Sequence, residues 1–185
     1  MSGIFEGRGD PRPHRWYWRR TDPAAGSPDD ESGILLPVHL RLLAAPSASI
    51  VLGGVTAYST GLEFMLTISY DPELLDPQGG CHHYYQGGNP DWCLRIGMQF
   101  SDGTRTTSLD HLLLPEQREQ APATLTRTWS GGQRERWWVN PLPPSGPILF
   151  VLEWPAAARE RITAQLDGDA IREAASHSIR FWDNA

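Results

Sequence analysis

From Leu35 onward the chain is written with a period of two, and no other feature restricts its fold as much. Residues 62 to 70 set Leu62, Phe64, Leu66, Ile68 and Tyr70 on one face, with Glu63, Thr67 and Ser69 on the other. Successive side chains of a strand point to opposite faces, so such a stretch buries one side and wets its reverse. Residues 94 to 100 repeat the pattern, with Leu94, Ile96, Met98 and Phe100 inward and Arg95 and Gln99 outward. The same reading predicts strands over 36–43, 50–58, 103–108, 124–129, 133–139, 148–154 and 162–166, which makes nine in all.

Turn chemistry agrees with the periodicity. Asp102-Gly103 lies between two strand patterns and can supply the positive φ angles of a type I′ hairpin, and Ser130-Gly131-Gly132 serves the next pair. The unalternating run Ile148-Leu149-Phe150-Val151-Leu152 suits a central strand covered on both sides or shielded by another element. At the C-terminus Ile171, Ala174, Ala175, Ser178, Ile179 and Trp182 recur at helical spacing behind a candidate N-cap at Asp169. The expected fold is therefore all-β, a two-layer antiparallel sandwich of about nine strands with jelly-roll or immunoglobulin-like topology and one C-terminal amphipathic helix. Pro11, Pro13, Pro23 and Pro28 mark residues 1–33 as a flexible Pro/Gly-rich tail, which leaves 34–185 as the sandwich domain. Two stretches, 71–93 and 109–123, read as long loops.

Charge narrows the range of partners. The chain holds 16 Arg, no Lys and 22 acidic residues, and a net charge of −6 argues against indiscriminate binding to nucleic acid. Its distribution is uneven, with Arg8, Arg12, Arg15, Arg19 and Arg20 in the first twenty residues and Arg41 as the single arginine between 21 and 91. Within the leader, Arg15-Trp16-Tyr17-Trp18-Arg19-Arg20 could dock on its own domain, on a partner or on an anionic polymer. No apolar run approaches the roughly 18 residues of a membrane span, and no cationic head precedes an apolar stretch at the N-terminus. The expectation is a cytoplasmic protein without a membrane partner.

Two constellations could carry chemistry. In Gln133-Arg134-Glu135-Arg136-Trp137-Trp138-Val139, alternation places Trp137 with Val139 on one face and Trp138 with Arg134 and Arg136 on the other. An indole beside two guanidiniums is enriched at contact hot spots and can also stack on a sugar or a base. The Arg stems could equally cover Trp138. The loop from Cys81 to Cys93 gathers His82, His83, Tyr84, Tyr85 and Trp92. Metal binding, a disulfide and two ordinary thiols all remain open there, although the spacing matches no standard zinc motif. Catalytic signatures such as G-x-S-x-G, H-E-x-x-H and the phosphate-binding loop are absent from the sequence, and Ser108, Asp110 and His111 lie too close together for a triad. His14, His39 and His177 read as ordinary histidines.

Four segments carry a likeness to known sequences: Gln99-Phe100-Ser101-Asp102-Gly103-Thr104-Arg105, the run from Trp137 to Pro147, Glu153-Trp154-Pro155, and Leu166-Asp167-Gly168 ahead of Ile171 and Ala174-Ala175. In these the chain resembles a group of uncharacterised proteins from high-GC actinobacteria. The resemblance implies a bacterial cytoplasmic origin and assigns no catalytic residue, cofactor or metal. The leading functional expectation is a non-catalytic interaction module that binds a protein partner or self-associates through Arg134, Arg136 and Trp138. A carbohydrate or other small-ligand module using the same aromatics is the first alternative, and a metal-binding protein using the Cys81 to Cys93 loop is the second.

Overall fold

The computed structural model describes residues 22–71, 73, 93–110, 116, 117 and 120–182. The nine expected strands are all present as β2 (Ile34–Ala45), β3 (Ala48–Tyr58), β4 (Gly61–Tyr70), β5 (Arg95–Gln99), β6 (Arg105–Thr107), β7 (Thr124–Gly131), β8 (Arg134–Asn140), β9 (Pro147–Glu153) and β10 (Ile162–Asp167). A 3-10 turn η1 (Pro23–Ala25), β1 (Glu31–Ser32), a helix α1 (Gly168–Ser176) and β11 (Ile179–Arg180) complete the described elements. Two antiparallel sheets, β2-β3-β4-β8-β7 and β10-β9-β5-β6, form the layers, and β1 pairs with β11 in a short third ribbon.

The chain crosses between layers three times, from β4 to β5, from β6 to β7 and from β8 to β9; β4 and β8 are neighbours in one sheet and β5 and β9 in the other, while β6 and β7 are edge strands. The order β3-β4-β8-β7 over β5-β9-β10 is the strand order of an immunoglobulin-type sandwich rather than a jelly roll, with β2 and β6 added at diagonal edges. The buried apolar positions of the alternation point between the layers. Ile50, Leu52, Leu62, Phe64 and Leu66 face Ile96, Met98, Ile148, Phe150 and Leu152, and all are buried. Phe64 and Phe150 meet edge to face across the gap, with centroids 5.6 Å apart. Burying each such side chain contributes roughly 1.5 to 3 kcal/mol against leaving it in water.

The five-stranded sheet is wider than its four-stranded partner, and α1 packs against β2, β3 and β9, inserting Ile171 and Ala175 into the core. Its N-cap is Asp167 rather than Asp169, with Oδ1 accepting the backbone N–H groups of Asp169 at 2.9 Å and Ala170 at 3.1 Å. A side chain at Gly168 would meet the Pro144 carbonyl oxygen at 2.9 Å, so the helix can start there only on glycine. Three of the four segments singled out in the sequence, around Ser101, Ser145-Gly146 and Asp167-Gly168, meet here. Gly168 N–H donates to the Gly146 carbonyl, Gly146 N–H donates to Asp169, and the Ser101 hydroxyl donates to the Ser145 carbonyl. Their residue types are set by close backbone approach at one end of the sandwich.

Several expectations are corrected. The helix ends at Ser176, and Ile179 and Arg180 leave it to pair with Ser32 and Glu31. Tertiary pairing with a distant segment overrides the helical spacing of Ile179 and Trp182. Within the stretch expected as a tail, Pro23–Ala25 and Glu31–Ser32 are elements of the fold. The turn at Asp102-Gly103 has a positive φ only at Gly103, so it is not type I′. Strand β9 is central but one-sided, burying Ile148, Phe150 and Leu152 while Leu149 stays 40% exposed.

Candidate functional site

Strand β8 places its side chains as alternation predicts. Trp137 and Val139 are buried on the inner face, and register puts Trp138, Arg136 and Arg134 opposite Glu63, Met65 and Thr67 on the outer face. Accessibility then departs from expectation. Trp138 is 0% exposed. The segment around η1 crosses the outer face of β7 and β8, and the Trp138 Nε1–H donates to the Pro23 carbonyl at 2.8 Å. Tyr58 meets the indole edge to face at 5.6 Å, and a side chain at Gly61 would run into the ring at 2.6 Å. Burial, then the nearby Glu63 carboxylate, holds the Tyr58 phenol above its usual pKa, so the wall beside Trp138 is neutral. Trp138 is therefore corrected from an exposed contact to a sealed anchor, because residues 22–27 cover it; Arg134 and Arg136 stay exposed.

A different indole takes its place at the surface. Strand β7 follows β8 with Leu125 opposite Val139 and Arg127 opposite Trp137, both on the inner face, and uninterrupted alternation would send Trp129 inward too. A bulge at Thr128 shifts the register so that Trp129 pairs with Arg136 on the outer face, where it is 48% exposed. Its six-membered ring occupies the space a side chain would take at Gly131, whose added Cβ would lie 2.7 Å from Cη2. Gly131 is in turn the register partner of Arg134. The indole thus rests along the strand beside both arginines.

Two further rows extend the face toward β2. Arg134, Thr67, Val51 and Arg41 share one row, and Arg136, Met65, Gly53 and His39 the next. Arg41 and Arg134 stand three strand spacings apart, about 14 Å at the usual inter-strand distance. His39 is exposed on this face, its Nδ1 only 3.5 Å from where a Gly53 Cβ would lie. Glu63 is the one carboxylate among these registered positions, and it pairs with Arg136 at 3.5 Å. Among the described residues neither Arg41 nor Arg134 has a carboxylate within ion-pair distance.

The other sequence candidates fall elsewhere. Asp110 accepts hydrogen bonds from the Thr106 and Thr107 hydroxyls and the Thr107 backbone, and the Ser108 hydroxyl accepts the Ile96 N–H, so both brace the β5–β6 hairpin. His111, the Arg15 to Arg20 motif and Cys81 through Trp92 lie outside the described residues; Cys93 is buried. Among the described residues no three His, Cys, Asp or Glu side chains form a group able to hold a metal ion, and no helix is long and apolar enough to cross a membrane. No protein-family model, curated protein or solved structure matches the chain.

Proposed function

We propose that the protein is a non-catalytic recognition module that holds a protein partner against the outer face of the β2-β3-β4-β8-β7 sheet, with Trp129, Arg134 and Arg136 at the centre of the contact. The observation that carries this reading is Trp129. A bulge turns a large apolar ring out of the core, and the ring is left half in water beside two guanidiniums. Tryptophan and arginine are the residues most enriched at interface anchors, since each buries a large area at modest entropic cost.

Placing benzoylphenylalanine at Trp129, and at Thr163 on the other sheet as a control, tests the reading in cells that make the protein. The expected result is a discrete, protease-sensitive adduct from position 129 and none from 163. A protease-resistant adduct would favour the carbohydrate alternative, and no adduct at 129 would remove this face from consideration. Self-association is favoured by a separate observation. Ile179, Phe181 and Trp182 are 62%, 56% and 62% exposed on or beside the β1–β11 ribbon. If that ribbon joins two copies, a Phe181→Ser, Trp182→Ser variant will sediment as a monomer where the parent does not.

A further inference from the structure

Resting on that recognition reading, we infer that the partner presents an extended segment rich in Asp and Glu, laid across the face that carries Trp129, Arg134, Arg136 and Arg41. Charge is the first argument. In a chain of net −6 the aligned strand positions of this face oppose Arg41, Arg134 and Arg136 with the carboxylate of Glu63, which is already engaged by Arg136, and the other described acid over the face, Asp22, accepts the Ala24 N–H as the cap of η1. An anion arriving there meets Arg41 and Arg134, which no described carboxylate pairs, and unlike-charge contact both steers encounter and penalises wrong partners.

The second argument excludes the chain's own leader as the occupant. Asp22 and η1 sit on this face against β7 and β8. Residues 11–21 contain Arg12, Arg15, Arg19 and Arg20 and no acid. A segment of that charge would be repelled by Arg134 and Arg136. The third argument selects a peptide over other polyanions. β7 is an edge strand, and among the described residues it pairs only with β8. One part of an extended peptide could satisfy that edge through its own backbone, with carboxylates reaching Arg134 and Arg136 on the neighbouring strand, while the rest crosses the sheet toward Arg41, a recognition mode that a sugar or nucleotide backbone cannot copy.

Fluorescence anisotropy on the full chain tests this with a labelled peptide of alternating Glu and Thr. The comparison probes are a Gln/Thr peptide, oligogalacturonate and single-stranded DNA. The Glu/Thr peptide should bind and weaken as salt rises, and Arg134→Glu or Arg41→Glu should each lower its affinity about tenfold, the scale of one lost charge contact. Arg105→Glu, on the other sheet, should leave the affinity within about twofold, a shift of under half a kcal/mol. Circular dichroism melting confirms that each variant folds. Equal binding of the Gln/Thr peptide, preference for oligogalacturonate or DNA, or unchanged affinity in folded Arg134→Glu and Arg41→Glu would overturn the inference. A position-129 adduct that persists while the Glu/Thr peptide fails to bind would leave the recognition reading standing and remove only its acidic partner. Loss of the adduct removes both.

Discussion

The two sheets turn unlike faces to solvent. On β10-β9-β5-β6 two of three arginines are paired: Glu153 takes Arg161 at 2.8 Å and Arg95 at 3.8 Å, and Arg105 stands at the β6 edge in the row of Gln165, Leu149 and Gln99. On β2-β3-β4-β8-β7 one of three is paired, Arg136 with Glu63, one tryptophan is sealed beneath the chain's own residues, and another is turned outward. Both faces serve equally well as the wet side of a sandwich. The difference lies in what is left uncompensated, and a net charge of −6 for the whole chain conceals it.

The largest expected effect separates the two tryptophans. Trp138→Ala should cost about 3 to 5 kcal/mol in urea unfolding, since it empties a fully enclosed site and strands the Pro23 carbonyl. Trp129→Ala should cost under about 1 kcal/mol, as expected of a half-exposed side chain. Equal costs would erase the distinction between anchor and contact.

Next comes Glu135, on the inner face of β8. It pairs with Arg127 at 3.0 Å, and its other oxygen accepts the Trp137 Nε1–H at 3.1 Å. Glu135→Ala should cost about 3 kcal/mol, because it leaves a largely enclosed guanidinium without this counter-charge. On the outer face Arg134→Glu should change stability by under about 0.5 kcal/mol while abolishing the position-129 adduct.

The smallest of the three effects at buried sites tests how firmly residues 22–33 are held. Glu31 is buried, and its carboxylate accepts the Ser59 N–H and hydroxyl, each at 2.6 Å. Burial pushes its pKa up, but hydrogen bonds from Ser178 and Ser59 and the Arg180 charge outweigh it and hold the group below its ordinary value of 4.5. A carboxyl lowered in the folded state contributes stability that is complete above its unfolded pKa and is lost as pH falls through the folded one. Glu31→Gln should therefore cost about 2 kcal/mol at neutral pH, and its difference from the parent should shrink on acidification below the ordinary value. A difference that grows toward acid would contradict the assignment.

The strands were legible because burial between two layers imposes a strict alternation, and β2 to β10 coincide with it to within a few residues. Alternation also grouped Arg134, Arg136 and Trp138 correctly. Two features escaped it for definite reasons. A single inserted residue at Thr128 inverts the facing of everything after it, and nothing in the local pattern marks that bulge, so the sequence does not single out Trp129. The cover on Trp138 comes from Pro23, remote in sequence and placed by tertiary contacts that local pattern does not encode. Ile179 and Trp182 failed similarly, since β11 is defined by pairing with β1 rather than by any period of its own.

The account stands most directly on which indole meets water. Side-chain N–H exchange, followed by NMR with the Trp129→Phe and Trp138→Phe variants used to assign the two signals, reads this in the intact protein. The Trp129 Nε1–H should exchange rapidly, and the Trp138 Nε1–H, held by Pro23, should be protected by orders of magnitude. Rapid exchange at Trp138 together with protection at Trp129 would place the contact under the N-terminal segment instead, and the face described above would not be the one the protein uses.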